Sequence, residues 1–402
     1  MAEPRTLFHG GRVFDAASAS LAAADVVVAD GRVLEVGPGL DGDVVVDCAG
    51  STVLPGLFDC HVHVAITHFD TVRWLSTPQG FHHYEAIATL RDYLAMGITT
   101  VRDAGGADAA LRLALSRGLV AGPRLRIAVT MLSQTGGHGD PMEACGTAVP
   151  FLPAPVSGVV DGADEVRRKV RELVRAGADQ IKVAVSGGVL SPLSDPRRPH
   201  LSPAELQVMV AEAAAAGLDV MAHAHGAAGI VNGVRAGVRS IEHGTMLSDE
   251  AIGLMLEHGT WLVPTLLAPQ GVIDAHAAGV PMSDLVLAKA RSVVDVHRES
   301  FARAVEAGVR VAMGTDCPVA PHGTNLGELP LMARGGMSPG EVLQAATLSA
   351  ARLMRMDDEL GSLDPGKRAD VVVVEGSALE LHGLRERVRE TWMDGVLVHH
   401  RR

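Results

Sequence analysis

Short segments in which valine alternates with polar residues occur near both ends of the chain. Near the start they read ADVVVADGRVLEVG and DVVVDCAG, and near the end GKRADVVVVEG and VRETWMDGVLVHH. Turn dipeptides such as Asp30-Gly31 punctuate them, which is typical of short antiparallel strands. Because both ends share this pattern, we predict one small β-sandwich domain formed by residues 1–54 together with residues 357–402.

Between these ends, short apolar runs alternate with alanine-rich segments of helical periodicity. The candidate strands are LFDCHVHV, GITTVRDAGG, RLRIAVT, DQIKVAVSGG, LDVMAHAHG, VRSIEHGT, TWLVPTLLA and VRVAMGTDC. The candidate helices are residues 83–96, 108–117, 163–176, 203–216, 227–236, 249–258, 284–307 and 339–354. This alternation predicts an α/β fold, a parallel (β/α)8 TIM-like barrel over residues 55–356. A doubly wound open sheet is the alternative, but only the barrel predicts chemistry at the C-terminal ends of all strands.

Composition excludes several classes of partner. Hydrophobic residues make up 47% of the 402 residues, enough for a large core, whereas aromatic residues make up only 3%. The net charge of −12 argues against nucleic acid and against an anionic membrane surface as partners. There is no apolar run of about 18 residues and no apolar leader, and the four cysteines have no paired spacing. These features predict a soluble protein of the reducing cytoplasm.

Residues with ligand chemistry fall at the C-terminal ends of the candidate strands. They are His61 and His63 on the first strand, Lys182 on the fourth, His223 and His225 on the fifth, Glu242 and His243 on the sixth, and Thr315 and Asp316 on the eighth. Alternate residues of a strand share a face, so both histidines of each His-x-His pair point into the barrel. Imidazole and carboxylate groups that converge on one axis are typical of a metal site. One His-x-His pair is weak evidence, whereas the ordered set is specific.

Lys182 stands between Ile181 and Val183 in an apolar strand, in a chain with only four lysines among its 35 basic residues. It is either an edge lysine with its amine in solvent or a buried amine. Burial lowers the pKa of a lysine by disfavouring the charged form, and only the neutral amine reacts with carbon dioxide to give a carbamate. A carbamate would replace an unfavourable cation by an anion able to bridge two metal ions about 3.5–4 Å apart.

Together with their surroundings, these residues resemble the two-metal branch of the amidohydrolase superfamily. The stretches that carry the resemblance are VLPGLFDCHVHV, GITTVRDAGG, TGGHGD, IKVAVSGGV, MAHAHG, SIEHGT, GTDCP and GSLDPGKRADVVVVEG, and they extend over nearly the whole chain. The group that the chain resembles includes imidazolonepropionase-like amidohydrolases, Xaa-Pro and Xaa-Arg/Lys dipeptidases, and ochratoxin-hydrolysing carboxypeptidase-like enzymes. The resemblance implies the same β-sandwich and barrel that the pattern of the chain predicts.

The resemblance also implies a role for each matching residue. Two divalent metal ions, expected to be zinc, would be held by His61 and His63 (the more buried ion), His223 and His243 (the more exposed ion), a carboxylated Lys182 (both ions) and Asp316 (the buried ion). A metal-bridging hydroxide would attack the amide carbonyl. Asp316 would take the proton of this hydroxide and pass it to the leaving amine.

Two further histidines are candidates for binding the substrate. His138 lies in the glycine-rich stretch TGGHGD after the third strand, where its imidazole could hydrogen-bond the scissile carbonyl or order the loop. His225 has the inward phase of the fifth strand and stands where related sequences often have a tyrosine that contacts the substrate carboxylate. We expect Arg102 to pair with a carboxylate. We expect Cys60 and Cys317 to face away from the ligands as packing residues.

Two loops have features that bear on the substrate. The loop AITHFDTVRWLSTPQGFHHYEA concentrates aromatic residues in a chain that has few, namely Phe69, Trp74, Phe81 and Tyr84. It is expected either to cover the pocket as a lid or to pack against a neighbouring subunit. Beyond the fourth strand, Arg197 or Arg198 in the stretch DPRRPH could meet an anionic substrate.

The leading hypothesis is a binuclear metal-dependent amidohydrolase that cleaves a dipeptide or an N-acyl amino acid and forms homo-oligomers. The alternative is a hydrolase of a cyclic amide or lactone, like imidazolonepropionase. Relatives of that kind use one metal ion and lack the lysine of the fourth strand, so Lys182 weighs against this alternative. A third hypothesis is a non-catalytic scaffold that has kept the barrel, but every ligand position is filled here.

Overall fold

The computed structural model describes residues 4–68, 73, 76–78, 80–142, 145–149, 157–191, 194–280 and 282–401. Within these ranges the chain has an α/β fold. The two terminal segments form two small sheets, and the segment between them forms parallel strands and helices. None of the helices in these ranges is long and apolar enough to cross a membrane.

Strands from both ends of the chain share one sheet. The terminal strands are Thr6–His9 (β1), Arg12–Asp15 (β2), Ser20–Ala23 (β3), Asp25–Ala29 (β4), Arg32–Gly37 (β5), Val44–Asp47 (β6), Ser51–Pro55 (β7), Val371–Glu375 (β16), Val388–Met393 (β17) and Val396–His400 (β18). One sheet has the order β18-β17-β16-β7-β2-β3, and the other has the order β5-β4-β1-β6. Phe8 and Val26 of the second sheet belong to the same buried apolar cluster as Val53 and Val371 of the first. The two sheets therefore share a core.

Parallel strands form the central part of the molecule. They are Leu57–Val62 (β8), Ile98–Asp103 (β9), Arg124–Ile127 (β10), Met131–Leu132 (β11), Ile181–Ala184 (β12), Val220–Ala224 (β13), Ser240–His243 (β14) and Trp261–Val263 (β15). Hydrogen bonds order them as β10-β9-β8 and as β11-β12-β13-β14-β15. The segment 309–317 forms isolated parallel bridges from Val311 to Leu262 in β15 and from Cys317 to Val62 in β8. This segment therefore lies beside both the first and the last of the parallel strands.

Helices follow most of the parallel strands, as is typical of βα units. They are Phe81–Ala95 (α1), Ala109–Ser116 (α2), Ala163–Arg175 (α3), Pro203–Ala215 (α4), Ala227–Ala236 (α5), Asp249–His258 (α6), Leu267–Ala277 (α7), Asp284–Glu306 (α8), Glu328–Arg334 (α9), Pro339–Ala345 (α10), Leu348–Leu353 (α11) and Leu384–Arg387 (α12), with a 3-10 turn at Asn325–Gly327. Ser202 and Glu205 form a capping box at the start of α4. The helix predicted over residues 339–354 is divided, because Thr347 has a non-helical backbone (φ −132°, ψ −96°).

The predicted elements differ from the structure mainly around the last two strands. The predicted eighth strand forms isolated bridges instead of a continuous strand. The seventh ends at Val263, and helix α7 begins at Leu267. The Glu328 carboxyl group accepts hydrogen bonds from the backbone N–H groups of Leu266 (2.7 Å) and Leu267 (2.8 Å), which stabilises this helix start. Glu328 is 61 positions away from Leu267, so no local pattern predicts this contact.

Candidate metal centre

The site residues predicted from the sequence meet in one pocket at the C-terminal ends of the parallel strands. The predicted residues that line it are His61, His63, His138, Lys182, His223, His225, His243 and Asp316. The fold therefore brings all of them together, although they come from segments far apart in the sequence.

One group of ligand atoms consists of His61, His63 and Asp316. Nε2 of each histidine lies 3.3 Å from Oδ1 of Asp316. On the far side of the rings, Nδ1 of His61 lies 2.7 Å from a Glu242 oxygen, and Nδ1 of His63 lies 2.8 Å from the carbonyl oxygen of Gly105. A carbonyl and an ionised carboxylate only accept hydrogen bonds, so Nδ1 carries the hydrogen in both rings. The Nε2 lone pairs then face a carboxylate, an arrangement that requires a proton or a metal cation between them.

A second group of ligand atoms is made of histidines. Nε2 of His223 lies 3.2 Å from the carbonyl oxygen of Gly187, so it carries the hydrogen, and its bare Nδ1 lies 2.9 Å from Nε2 of His243. Burial lowers the pKa of both imidazoles well below the ordinary value, so both are neutral at pH 7. Ligand atoms lie within 4.8 Å of one another in two sets, His223 with His225 and His243, and His61 with His243 and Asp316. The two sets share His243.

The backbone is strained at two of these positions. His243 and Asp316 have φ values of 72° and 60°, in the left-handed region that residues other than glycine rarely occupy. Nδ1 of His243 lies 2.7 Å from Oγ1 of Thr265, and the backbone N–H of Asp316 donates to the carbonyl oxygen of His61 over 2.7 Å. A Cβ atom at Gly314 would stand 3.0 Å from the backbone nitrogen of His61, so glycine is required for this close approach. Strain of this kind concentrates at functional sites.

A buried ion pair lies beneath His61. Glu242 is 0% exposed, and Nη2 of Arg102 donates to its Oε1 over 2.9 Å, while Nε of Arg102 donates to the carbonyl oxygen of Cys60. Burial raises the pKa of Glu242, but the Arg102 charge and the hydrogen bond from His61 outweigh it, and the pKa is about 2. The ionised carboxylate fixes the tautomer of His61, as outer-shell carboxylates do for metal-binding histidines. The prediction that Arg102 pairs with a carboxylate is confirmed.

Lys182 is buried, which excludes the edge position. The residue is 1% exposed, and its Nζ lies 3.3 Å from Nε2 of His61. Burial lowers the pKa of Lys182 to about 8, although the nearby Glu242 and Asp316 carboxylates act in the opposite direction. At pH 7 a pKa near 8 leaves roughly a tenth of the amine neutral and reactive.

The two candidate substrate-binding histidines lie beside His223. The ring of His138 is 4.2 Å from that of His223 between centroids, and its Nδ1 contacts the hydroxyl of Ser191. Nδ1 of His225 lies 2.6 Å from Oγ1 of Thr245. Burial lowers the pKa of each to about 3, so both are neutral at pH 7.

The remaining sequence predictions fall outside this cluster. Cys60 and Cys317 are fully buried. In the aromatic loop, Phe81 and Tyr84 are 48% and 70% exposed. The other aromatic residues of that loop, Phe69 and Trp74, lie outside the described residues, so its role as a lid or a subunit contact stays a prediction.

Several supporting residues were not predicted. His297 of α8 is 1% exposed and lines the pocket, and its Nε2 donates to the carbonyl oxygen of His243 over 2.9 Å. Asp59 is 0% exposed and accepts hydrogen bonds from the Thr315 hydroxyl (2.7 Å) and the Asn325 amide (2.9 Å). Of these residues, only Asp59 could have been found from the sequence, because it stands inside the stretch LFDCHVHV, next to the candidate ligands. The other contacts join segments far apart in the sequence.

Comparison with known proteins agrees with this geometry. Residues 52–398 match the family described as the amidohydrolase family. Ochratoxinase from Aspergillus niger is 35% identical over 344 residues, which are 82% of this chain and 71% of the relative. A Xaa-Pro dipeptidase with methionine bound in its active site has a TM-score of 0.92 at 34% identity, with coverage of 99% of this chain and 100% of that chain. A prolidase complexed with N-methylphosphonate-L-proline has a TM-score of 0.91 at 37% identity, with coverage of 99% and 100%.

The fold and the site thus define a hydrolase that acts on C–N bonds. The chain belongs to the amidohydrolase family. Members of this family typically bind divalent metal ions, and the histidine and aspartate cluster fits such an ion.

Proposed function

We propose that this protein hydrolyses the amide bond of a dipeptide or an N-acyl amino acid at a centre of two divalent metal ions. The position of Lys182 carries the proposal, because its buried amine lines the same pocket as both groups of ligand atoms. An ammonium cation there would oppose metal binding, whereas a carbamate would add an anion able to bridge two ions. The similarity to a Xaa-Pro dipeptidase and a prolidase supports a dipeptide-like substrate.

The donor atoms fit two ions, for which we propose zinc. The proposed ligands are His61, His63 and Asp316 for one ion, His223 and His243 for the other, and a carbamate on Lys182 for both. The arrangement around Asp316 supports this assignment. The Nε2 lone pairs of His61 and His63 face its carboxylate, and these groups repel one another in the absence of a cation. When bound, the ions would supply an activated water molecule at neutral pH and polarise the scissile carbonyl.

Asp316 is the proposed proton carrier. Burial raises the pKa of its carboxyl group, but the positive charge of the facing His61 and His63 imidazoles, when protonated, outweighs this effect and holds the pKa well below the ordinary value, and a bound cation would act in the same direction. The carboxylate is therefore ionised at neutral pH and can accept the proton of the attacking water and deliver it to the leaving nitrogen. His138, a neutral imidazole at this pH, would donate a hydrogen bond to the oxygen of the carbonyl under attack.

We also propose that the parallel strands close into a (β/α)8 barrel over residues 55–356, with a β-sandwich made of residues 1–54 and 357–402. Two backbone contacts support closure. The N–H of Cys60 donates to the carbonyl oxygen of Met313 over 2.9 Å, and the N–H of Leu262 donates to that of Arg310 over 2.8 Å. A closed barrel would explain why ligands from the first and the last strands meet on one axis.

The pocket walls support a substrate with an apolar part. The apolar lining residues are Ile66, Met131, Val189, Leu190, Ala268, Pro269, Val272 and Val319. Among the described lining residues, Lys182 is the only lysine or arginine. A substrate carboxylate would therefore meet histidines such as His225, and an apolar side chain or acyl group would lie against the other wall.

The proposal is tested by giving the metal-loaded full-length protein a library of dipeptides and N-acyl amino acids and measuring release of the free amino group. We expect cleavage of members with an apolar residue beside the scissile bond, and two metal ions per chain by elemental analysis. Asp316→Asn should fold normally and lose turnover by about 10²–10⁴-fold. The control Asp164→Asn changes a fully exposed carboxylate and should keep the turnover of the wild type. Cleavage of no amide would overturn the substrate class. Undiminished turnover by Asp316→Asn would overturn its role.

A further inference from the structure

A second recess lies close to the catalytic pocket, at the segment that follows β12. It is lined on one side by residues 194–200 and on another by helix α8. Among the described residues that line it, Arg197, Arg198 and Lys289 are cationic, and Asp195 is the only acid. This local excess of positive charge occurs in a chain whose net charge is −12.

The side chains of the two arginines of this recess lack partners within the part of the chain that the structure describes. Both are exposed, and neither guanidinium group forms a hydrogen bond or an ion pair with any residue that the structure describes. Other arginines of the chain, such as Arg124 and Arg355, are paired with aspartates. A free guanidinium group offers a planar set of donors that matches a carboxylate or a phosphate.

The backbone that carries these arginines is fixed to the end of β12. The N–H of Gly187 donates to the carbonyl oxygen of Arg198 over 3.2 Å, and the N–H of His200 donates to that of Val185 over 2.8 Å. The N–H of Arg198 donates to the carbonyl oxygen of Asp195 over 3.0 Å. The recess is therefore preformed, which reduces the ordering cost of binding a ligand.

His200 provides an independent indication of a ligand. It lines the recess and is 6% exposed, and its buried Nδ1 has no hydrogen-bond partner among the described residues. A buried polar atom without a partner is unfavourable, so a ligand that forms a hydrogen bond with it gains stability. Lys289 donates to the carbonyl oxygens of Ser191 and Ser194, which leaves one of its three N–H donors available.

We propose that this recess binds the anionic group of a small molecule, an oxyanion of the carboxylate or phosphate type, between Arg197, Arg198 and Lys289. The site is distinct from the metal ligands but connected to the catalytic pocket. Lys289 donates to the carbonyl oxygen of Ser191 over 2.8 Å, and the Ser191 hydroxyl contacts Nδ1 of the His138 ring. An anion bound to Lys289 therefore changes the position of the Ser191 segment, which contacts His138.

Calorimetric titration of the metal-loaded protein with sulfate at constant ionic strength tests the site. Saturable binding is expected, and Arg197→Gln/Arg198→Gln should weaken it at least tenfold. The matched control is Arg117→Gln/Arg334→Gln, which removes the same charge at two exposed arginines that also have no described partner. His200→Phe, which fills the recess, should also weaken binding. Absence of saturable binding, or equal binding by the two double variants, would overturn the proposal.

The source of the anionic group is identified by kinetics with an amide substrate that carries a second carboxylate. If sulfate raises the KM of wild type for this substrate without lowering kcat, and Arg197→Gln/Arg198→Gln abolishes that effect, the recess binds the substrate itself. If sulfate binds in the recess and the KM is unchanged, the ligand is a separate anion. The calorimetric readout does not depend on activity, so failure of the proposed function and failure of this site are distinguishable.

Discussion

Replacing Glu242 by glutamine removes one charge from the network beneath the metal ligands and keeps the shape of the side chain. Glu242 is 0% exposed, with Arg102 Nη2 at 2.9 Å and His61 Nδ1 at 2.7 Å. At an effective dielectric constant of about 20, one unit-charge pair at this separation interacts by about 6 kcal/mol before desolvation is subtracted. Arg102 would then be a buried cation without an anionic partner, so the free energy of unfolding should fall by about 3–5 kcal/mol.

The same substitution should weaken metal binding for a separate reason. The Glu242 carboxylate holds the hydrogen of His61 on Nδ1 and keeps the lone pair of Nε2 directed into the pocket. A glutamine has one acceptor oxygen for two buried donors, so the His61 ring loses its fixed orientation or Arg102 loses its acceptor. Loss of such an outer partner typically lowers metal affinity by about 10–100-fold.

Metal affinity is measured by competition with a chelator, and stability by denaturant unfolding of the metal-free protein. Asp370→Asn is the control, because Asp370 is 3% exposed and pairs with Arg124 but does not line the pocket. It should lose stability and keep its metal affinity. The double variant Arg102→Met/Glu242→Gln lacks the unpaired cation, so it should recover stability without recovering metal affinity. Unchanged metal affinity in Glu242→Gln would refute the reasoning.

Three further predictions follow from single contacts. Lys182→Ala should reduce bound metal from two ions per chain to one, and an unchanged metal content would contradict a bridging role. Thr265→Val removes the partner of His243 Nδ1 (2.7 Å) and should lower metal affinity about tenfold in the same chelator competition, whereas wild-type affinity would show that this contact does not orient the ring. Burial raises the pKa of Asp25, but hydrogen bonds from backbone N–H groups, among them that of Gly10, outweigh it and leave the pKa lowered. A lowered folded-state pKa stabilises the fold above the unfolded pKa of about 3.9, and this contribution is lost as the pH falls through the folded value. Asp25→Asn should therefore lower the free energy of unfolding by about 1–3 kcal/mol at pH 7. The difference between wild type and variant, measured by denaturant unfolding, should shrink below about pH 4. A difference that stays constant as the pH is lowered would contradict this prediction.

The helices were predictable where local chemistry determines them. Residues 203–216 were expected to be helical, and α4 spans Pro203–Ala215. Ser202 caps it, Glu205 completes the capping box, and the proline stands where no backbone N–H is needed. The sequence does not predict helix α7, because the carboxyl group that caps its start comes from Glu328, which belongs to another helix. A local pattern predicts an element only when its stabilising contacts are also local.

The same distinction explains which parts of the site could be predicted. His61, His63 and His223 were found because the two-residue period of a strand determines which side chains face inward. That period does not determine which inward-facing atom becomes a ligand. His225 was assigned to the substrate, yet one of its ring nitrogens lies within 4.8 Å of ligand atoms of His223 and His243. Its orientation depends on Thr245, 20 positions away, so contacts across neighbouring strands decide between ligand and substrate contact.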